Sequence, residues 1–116
     1  MDMRMLVNGV EGALIGIFIG AEVVLNVMLL NADGTLRTQA TNTVTLELYG
    51  NAQRTGTPTS LAAAAVTAAS GLMSVTISEA ALAALTPGKT YYGFAKEVTT
   101  GTVTSFSPIP VQLKMR

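Results

Sequence analysis

The sequence predicts an all-β fold: an antiparallel β-sandwich of about eight strands with one short helical turn near residues 79–85. Three observations carry this. Short segments alternate apolar and polar residues, the period of a half-buried strand. Turn-forming Gly, Pro and Asn-Asp clusters recur roughly every ten residues. No helical segments alternate with the strands, which excludes the parallel α/β architectures. The 116 residues fit one domain. By size scaling, a chain of this mass exposes roughly 6,000 Å² when folded and buries about two thirds of its surface, enough for a single core.

Residues 1–12 show no clean period and read as an N-terminal arm preceding one sandwich domain at 13–116; removal of such an arm is expected to spare the fold. Ala13–Leu30 is the most apolar stretch. Gly12, Gly16 and Gly20 sit four apart, the small-residue spacing of packed membrane helices, and 18 residues reach the lower edge of a crossing. Glu22 and Asn26 interrupt the run, and a Glu at a helix centre in lipid costs about 2.5 kcal/mol or more. Ile15, Ile17 and Ile19 alternate with Gly16 and Phe18, as Val23, Leu25, Val27 and Leu29 do with their neighbours. Two strands follow, 14–19 and 22–30, with a bend at Gly20 and Glu22 pointing to solvent.

Asn31-Ala32-Asp33-Gly34 is a turn, after which 35–39 continues as a short strand. Thr43–Tyr49 is the cleanest half-buried strand, with Val44, Leu46 and Leu48 inward and Thr43, Thr45, Glu47 and Tyr49 outward. Residues 50–60 form a polar loop. Leu61–Ala69 is alanine-rich and compatible with helix; the Ser70-Gly71 hinge and the alternation of 72–78 favour a strand that pairs with 72–78. Ser78 caps a short helical turn with Glu79 in its first turn, Leu82 and Leu85 share one face, and Thr86-Pro87-Gly88 ends it. Strands at 89–98, 102–106 and 111–115 complete the sheet. Pro108 and Pro110 place the last of these at an edge.

Function classes fall away on composition. The chain has no His and no Cys, so nucleophilic triads and ordinary structural zinc sites are out of reach. Seven positive and seven negative side chains give no basic footprint for nucleic acid. Phosphate loops, nucleophile elbows and calcium loops are absent from the sequence. No cofactor, no metal and no catalytic residue is expected, and the chain reads as non-enzymatic. Only 12% of residues are charged and mean hydropathy is +0.46, against about 25% charged for an ordinary soluble domain. Sixteen Thr and sixteen Ala make up much of the remainder. A surface so poor in charge is expected to be covered by partner proteins. A small membrane protein using Ala13–Leu30 is the lesser alternative. No secretory signal is expected, and the initiating Met suggests an uncleaved product of a cytoplasm.

Leu85-Thr86-Pro87-Gly88-Lys89-Thr90-Tyr91-Tyr92 resembles the turn that enters the penultimate strand of fibronectin type III and other immunoglobulin-like sandwiches. The likeness covers about residues 44–113. It implies an immunoglobulin-like sandwich, the jelly roll being the alternative. It also implies a structural corner of Leu85, Pro87, Gly88 and Tyr91, in which the Tyr91 hydroxyl bonds back to the loop. No Trp packs the core, a departure from that family pattern.

In composition and fold class the chain is also similar to small structural proteins of tailed bacteriophages. That likeness implies a capsid decoration, or cement, subunit that binds a capsid lattice and resides in the virion after synthesis in the host cytoplasm. A baseplate, tail or fibre module, or a surface adhesin domain, is the alternative. The partners implied are a major capsid or other virion protein and further copies of the chain, a trimer being favoured, with no nucleic acid and no membrane. The residues expected at such an interface are Met3, Met5, Leu6 and Val7 of the arm and Val111 and Leu113 of the last strand.

Overall fold

Ten strands and one short helix follow the alternation read above. They are β1 (Met3–Val7), β2 (Val10–Glu11), β3 (Leu14–Ile17), β4 (Val23–Asn31), β5 (Asn42–Tyr49), β6 (Thr59–Thr67), β7 (Leu72–Ile77), α1 (Glu79–Ala83), β8 (Thr90–Thr99), β9 (Thr102–Phe106) and β10 (Val111–Met115). The computed structural model describes residues 3–38, 42–67 and 71–116. The strand expected at 35–39 is reduced to a single bridge, Leu30 with Leu36, and residue 39 lies outside the described residues.

The strands form two sheets of a sandwich, ordered β2-β1-β4-β7-β6 and β6-β5-β8-β10-β3, with β9 beside β8. Strand β6 belongs to both sheets: Thr59–Ala62 pairs with β5, and from Ala63 onward it pairs with β7. The alanine-rich segment is therefore a strand paired with 72–77, as expected. It is placed where a strand must pass from one sheet to the other. Strand β8 is central to the second sheet. Tyr92–Thr99 pairs with β5, while on the other side of the strand Thr90–Gly93 meets β10 and Lys96–Thr99 meets β9.

Two expectations are corrected. The last strand is not an edge, because β3 pairs with β10 in parallel along its outer side, Leu14 opposite Gln112 and Ile17 opposite Met115. Pro108 and Pro110 instead occupy the break between β9 and β10. Nor do residues 1–12 form a free arm. Met3, Met5 and Val7 are at most 2% exposed, and β1 pairs with β4 from Met3–Asn31 to Val7–Val27. Alternation is present in this segment (Met3, Met5 and Val7 inward, Arg4 and Leu6 outward), but an apolar Leu6 on the outer face conceals it. A chain lacking residues 1–10 is accordingly expected to lose its cooperative unfolding transition in urea. It gives up three buried side chains, each contributing about 1.5–3 kcal/mol, against a total stability of about 5–15 kcal/mol.

The core fills the space between the sheets. Leu25, Val27 and Leu29 of β4 and Val75 and Ile77 of β7 face Leu46 and Leu48 of β5 and Val111, Leu113 and Met115 of β10. The accessible surface, 5896 Å², matches the value of roughly 6,000 Å² set by chain mass, so the expected fraction is buried. Gly93 is required by this packing: a Cβ there would stand 2.8 Å from Val111 Cγ1 and 3.1 Å from Leu48 Cδ2. Helix α1 closes one end. Ser78 caps it, accepting the Ala81 N–H at 3.1 Å, and Leu82 and Leu85 turn inward, 0% and 6% exposed. Glu22 is exposed, as expected. No helix among the described residues is long and apolar enough to cross a membrane.

Candidate interaction site

Two acidic residues, Glu97 and Glu47, are buried and built into the sandwich at separate places. The first is Glu97. Its register opposite Val44 turns it inward, and it is only 2% exposed. Arg37, in the β4–β5 connection, grips its carboxylate with two hydrogen bonds: Nη2 donates to Oε1 at 2.6 Å and Nε to Oε2 at 2.9 Å. Asn42 Nδ2 donates to Oε2 at 2.6 Å and Thr104 Oγ1 to Oε1 at 3.1 Å. Arg37 Nη1 in turn donates to Asn31 Oδ1 at 3.0 Å. The bonds from Arg37 hold the Glu97 carboxyl below its ordinary pKa, against the opposing effect of burial, and Arg37 is raised reciprocally. Both oxygens are engaged by donors and the group is held as the anion, so Glu97 is a poor general base. With Asn31, Thr38, Asn42 and Thr99 it lines a polar cleft of about 390 Å³.

The second place is the outer face of β5, expected to be solvated and found covered. Glu47 and Tyr49 are 5% and 8% exposed. Lys96 Nζ stands 3.1 Å from Glu47 Oε2, and Tyr49 Oη and Ser60 Oγ donate to the same carboxylate at 3.0 and 3.3 Å. Burial, then Glu47, raises the pKa of Tyr49. Tyr49 meets Phe94 edge to face with centroids 5.9 Å apart, and the Arg54 guanidinium lies 3.6 Å over the Phe106 ring. These contacts form a thin second layer on the sheet, built by the 50–58 loop and the start of the β9–β10 break.

The residues of the expected corner meet. Leu85 is buried and Gly88 adopts φ +81°, beyond the comfortable reach of a side-chain-bearing residue. The Gly88 N–H donates to Met115 O at 2.9 Å, and the Tyr91 hydroxyl accepts the Thr86 N–H at 2.9 Å. Pro87 is exposed within the turn. Burial pushes the Tyr91 hydroxyl up, but the Thr86 bonds and the nearby Lys89 charge outweigh it and leave it lowered. The corner ties the β8 entrance to β10. Tyr91→Phe is expected to cost about 1 kcal/mol, read as a lower urea midpoint with an unchanged slope.

The residues expected at an interface divide sharply. Met3, Met5, Val7, Val111 and Leu113 are at most 2% exposed and belong to the core; their apolar character serves packing. Leu6 alone lies on an outer face, half-buried beside Met28, which neighbours Leu72 across the next strand. The large apolar groups that do stand in solvent lie elsewhere. Phe18 is 72% exposed, Leu14 66%, and Val10, Val24, Leu36, Val103 and Ile109 range from 45% to 55%. Sequence reasoning missed Leu14 and Phe18 because both parities of 14–19 are apolar apart from Gly16. That pattern was itself the available signal, since a strand apolar on both faces leaves one face to be covered.

No protein-family model and no curated protein matches the chain.

Proposed function

We propose that the chain is a non-enzymatic structural subunit that packs into a protein shell, decorating a capsid lattice in a virion. One observation carries the reading: among the described residues, seven large apolar side chains stand at 45–72% exposure on a molecule with only fourteen charged residues. Scattered exposed apolar groups are ordinary; their combination with so little charge suits a surface that spends its working life against other proteins. The buried acids support the same reading. Glu47 and Glu97 are tied into the scaffold by donors from neighbouring segments, where they stabilise the fold. Affinity for the lattice would come from apolar and backbone contacts, multiplied over many equivalent sites.

The test is where the protein resides. Particles from cells that make the chain are purified on a density gradient and labelled with an antibody raised against it. Regular label over the particle shell is the expected result. Label confined to a tail or fibre favours the alternative module, and recovery of the chain wholly apart from particles overturns the virion assignment.

A further inference from the structure

We propose that β3 pairs with β3 of a second copy, antiparallel, about a two-fold axis at Gly16. The backbone sets the register. Ala13 O accepts the Gln112 N–H and Ile17 O accepts the Arg116 N–H, both at 2.8 Å. Alternate residues of an extended strand direct both backbone groups to the same side. Residues 13, 15 and 17 therefore face β10, while Leu14, Gly16 and Phe18 direct their N–H and C=O groups away from it. No described strand lies on that side. An open row of this kind is a template for another strand.

The sequence along the row is self-complementary. Leu-Ile-Gly-Ile-Phe reads alike from either end in size and polarity. With Gly16 opposite Gly16, Leu14 falls opposite Phe18 of the other copy and Ile15 opposite Ile17. Every outward backbone group from Leu14 to Phe18 then finds a partner. The two most exposed large apolar side chains among the described residues, Phe18 at 72% and Leu14 at 66%, cover each other at cross-strand distance. An isologous contact is the expected form for such a palindrome. No charge lies between Glu11 and Glu22, so the two edges meet without like-charge opposition along the strand. The exposed Arg116 side chain, whose Nε stands 2.6 Å from where a Gly16 Cβ would be, is a cation near the axis, and pairing requires the guanidinium of each copy to turn away from its counterpart.

The patch also sets the strength. The Leu14 and Phe18 side chains of the two copies are partly covered beforehand and meet on an open sheet face, so the paired edges bury well below the roughly 1,200–2,000 Å² of a stable dimer. The association is therefore weak and becomes effective at the local concentrations of an assembly.

Sedimentation equilibrium of the purified chain from about 5 to 500 μM tests this. The parent is expected to pass from monomer to dimer. Gly16→Pro, which removes an outward N–H and no bond to β10, is expected to stay monomeric. Leu14→Lys and Phe18→Glu are each expected to stay monomeric alone. Mixed in equal amounts they are expected to associate. The register sets the introduced ammonium of one copy against the introduced carboxylate of the other, while the unaltered Phe18 and Leu14 still meet. Circular dichroism confirms that each variant is folded, and both side chains are exposed enough to be exchanged. A parent that stays monomeric, a stoichiometry other than two, dimerisation of Gly16→Pro, or a mixture that recovers nothing overturns the proposal. Self-pairing is read on the isolated chain, so its failure would leave the particle-label test of the shell reading intact.

Discussion

Leu46→Asp is expected to abolish folding. Leu46 is 2% exposed, sits opposite Leu61 and Ala95 on the neighbouring strands, and closes over Gly93, where its Cδ1 lies 3.2 Å from the position of an added Cβ. Losing the leucine side chain costs about 2–5 kcal/mol. Burying a carboxyl with no partner adds about 2–7 kcal/mol even after it neutralises. The two costs together, about 4–12 kcal/mol, are on the scale of the whole stability of such a domain, about 5–15 kcal/mol. Leu46→Ala, which incurs only the first cost, is expected to remain folded with a lower urea midpoint. Proton NMR dispersion separates the two outcomes; a well-dispersed Leu46→Asp spectrum would overturn the inward assignment of β5.

Arg37→Met is expected to have the next largest effect, about 3–5 kcal/mol, because it strands the Glu97 carboxylate in the interior. Replacing both residues with Met removes the buried charge as well, so the double variant is expected to be more stable than Arg37→Met. Acid gives a second readout. The carboxyl of Glu97 is held below its ordinary pKa in the folded chain. Its contribution is complete above the unfolded value, about 4.3, and is lost as pH falls through the lower folded value. The parent should therefore lose stability from about pH 5 downward, on the scale of ordinary carboxylates. In Arg37→Met, burial acts on Glu97 against the Thr104 and Asn42 bonds alone, so the folded pKa rises from its depressed value and the loss of stability on acidification is smaller than in the parent. Denaturant titrations at neutral and acid pH distinguish the slopes.

Alternation made most of the sandwich legible. β5, β7, β9 and β10 lie within a residue of where the pattern placed them, since one face of β5, β7 and β10 meets the core and Gly101 and Pro108 bracket β9. Parallel pairing was not legible: hairpin logic finds neighbours in sequence, whereas β3 meets β10 across nearly the whole chain, and the two prolines beside β10 pointed the wrong way. The Met3, Met5 and Val7 face was hidden because Leu6, on the opposite face, is also apolar. Glu97 shares its parity with Ala95 and Gly93 and so was readable as inward, but its partner Arg37 lies 60 residues away in a connection without period. The covered outer face of β5 depends on Arg54 folding back over Phe106, a contact made by a loop whose path no periodicity encodes.

The parallel contact of β3 with β10 also gives the molecule a mechanical direction. Tension applied at residues 12 and 116 draws the two strands along their axes in opposite senses, so the bonds from Gln112 to Ala13 and from Arg116 to Ile17 are loaded together rather than opened one after another. A hairpin pulled at its open end tears from the tip. This pair resists as a sheared seam and gives way all at once.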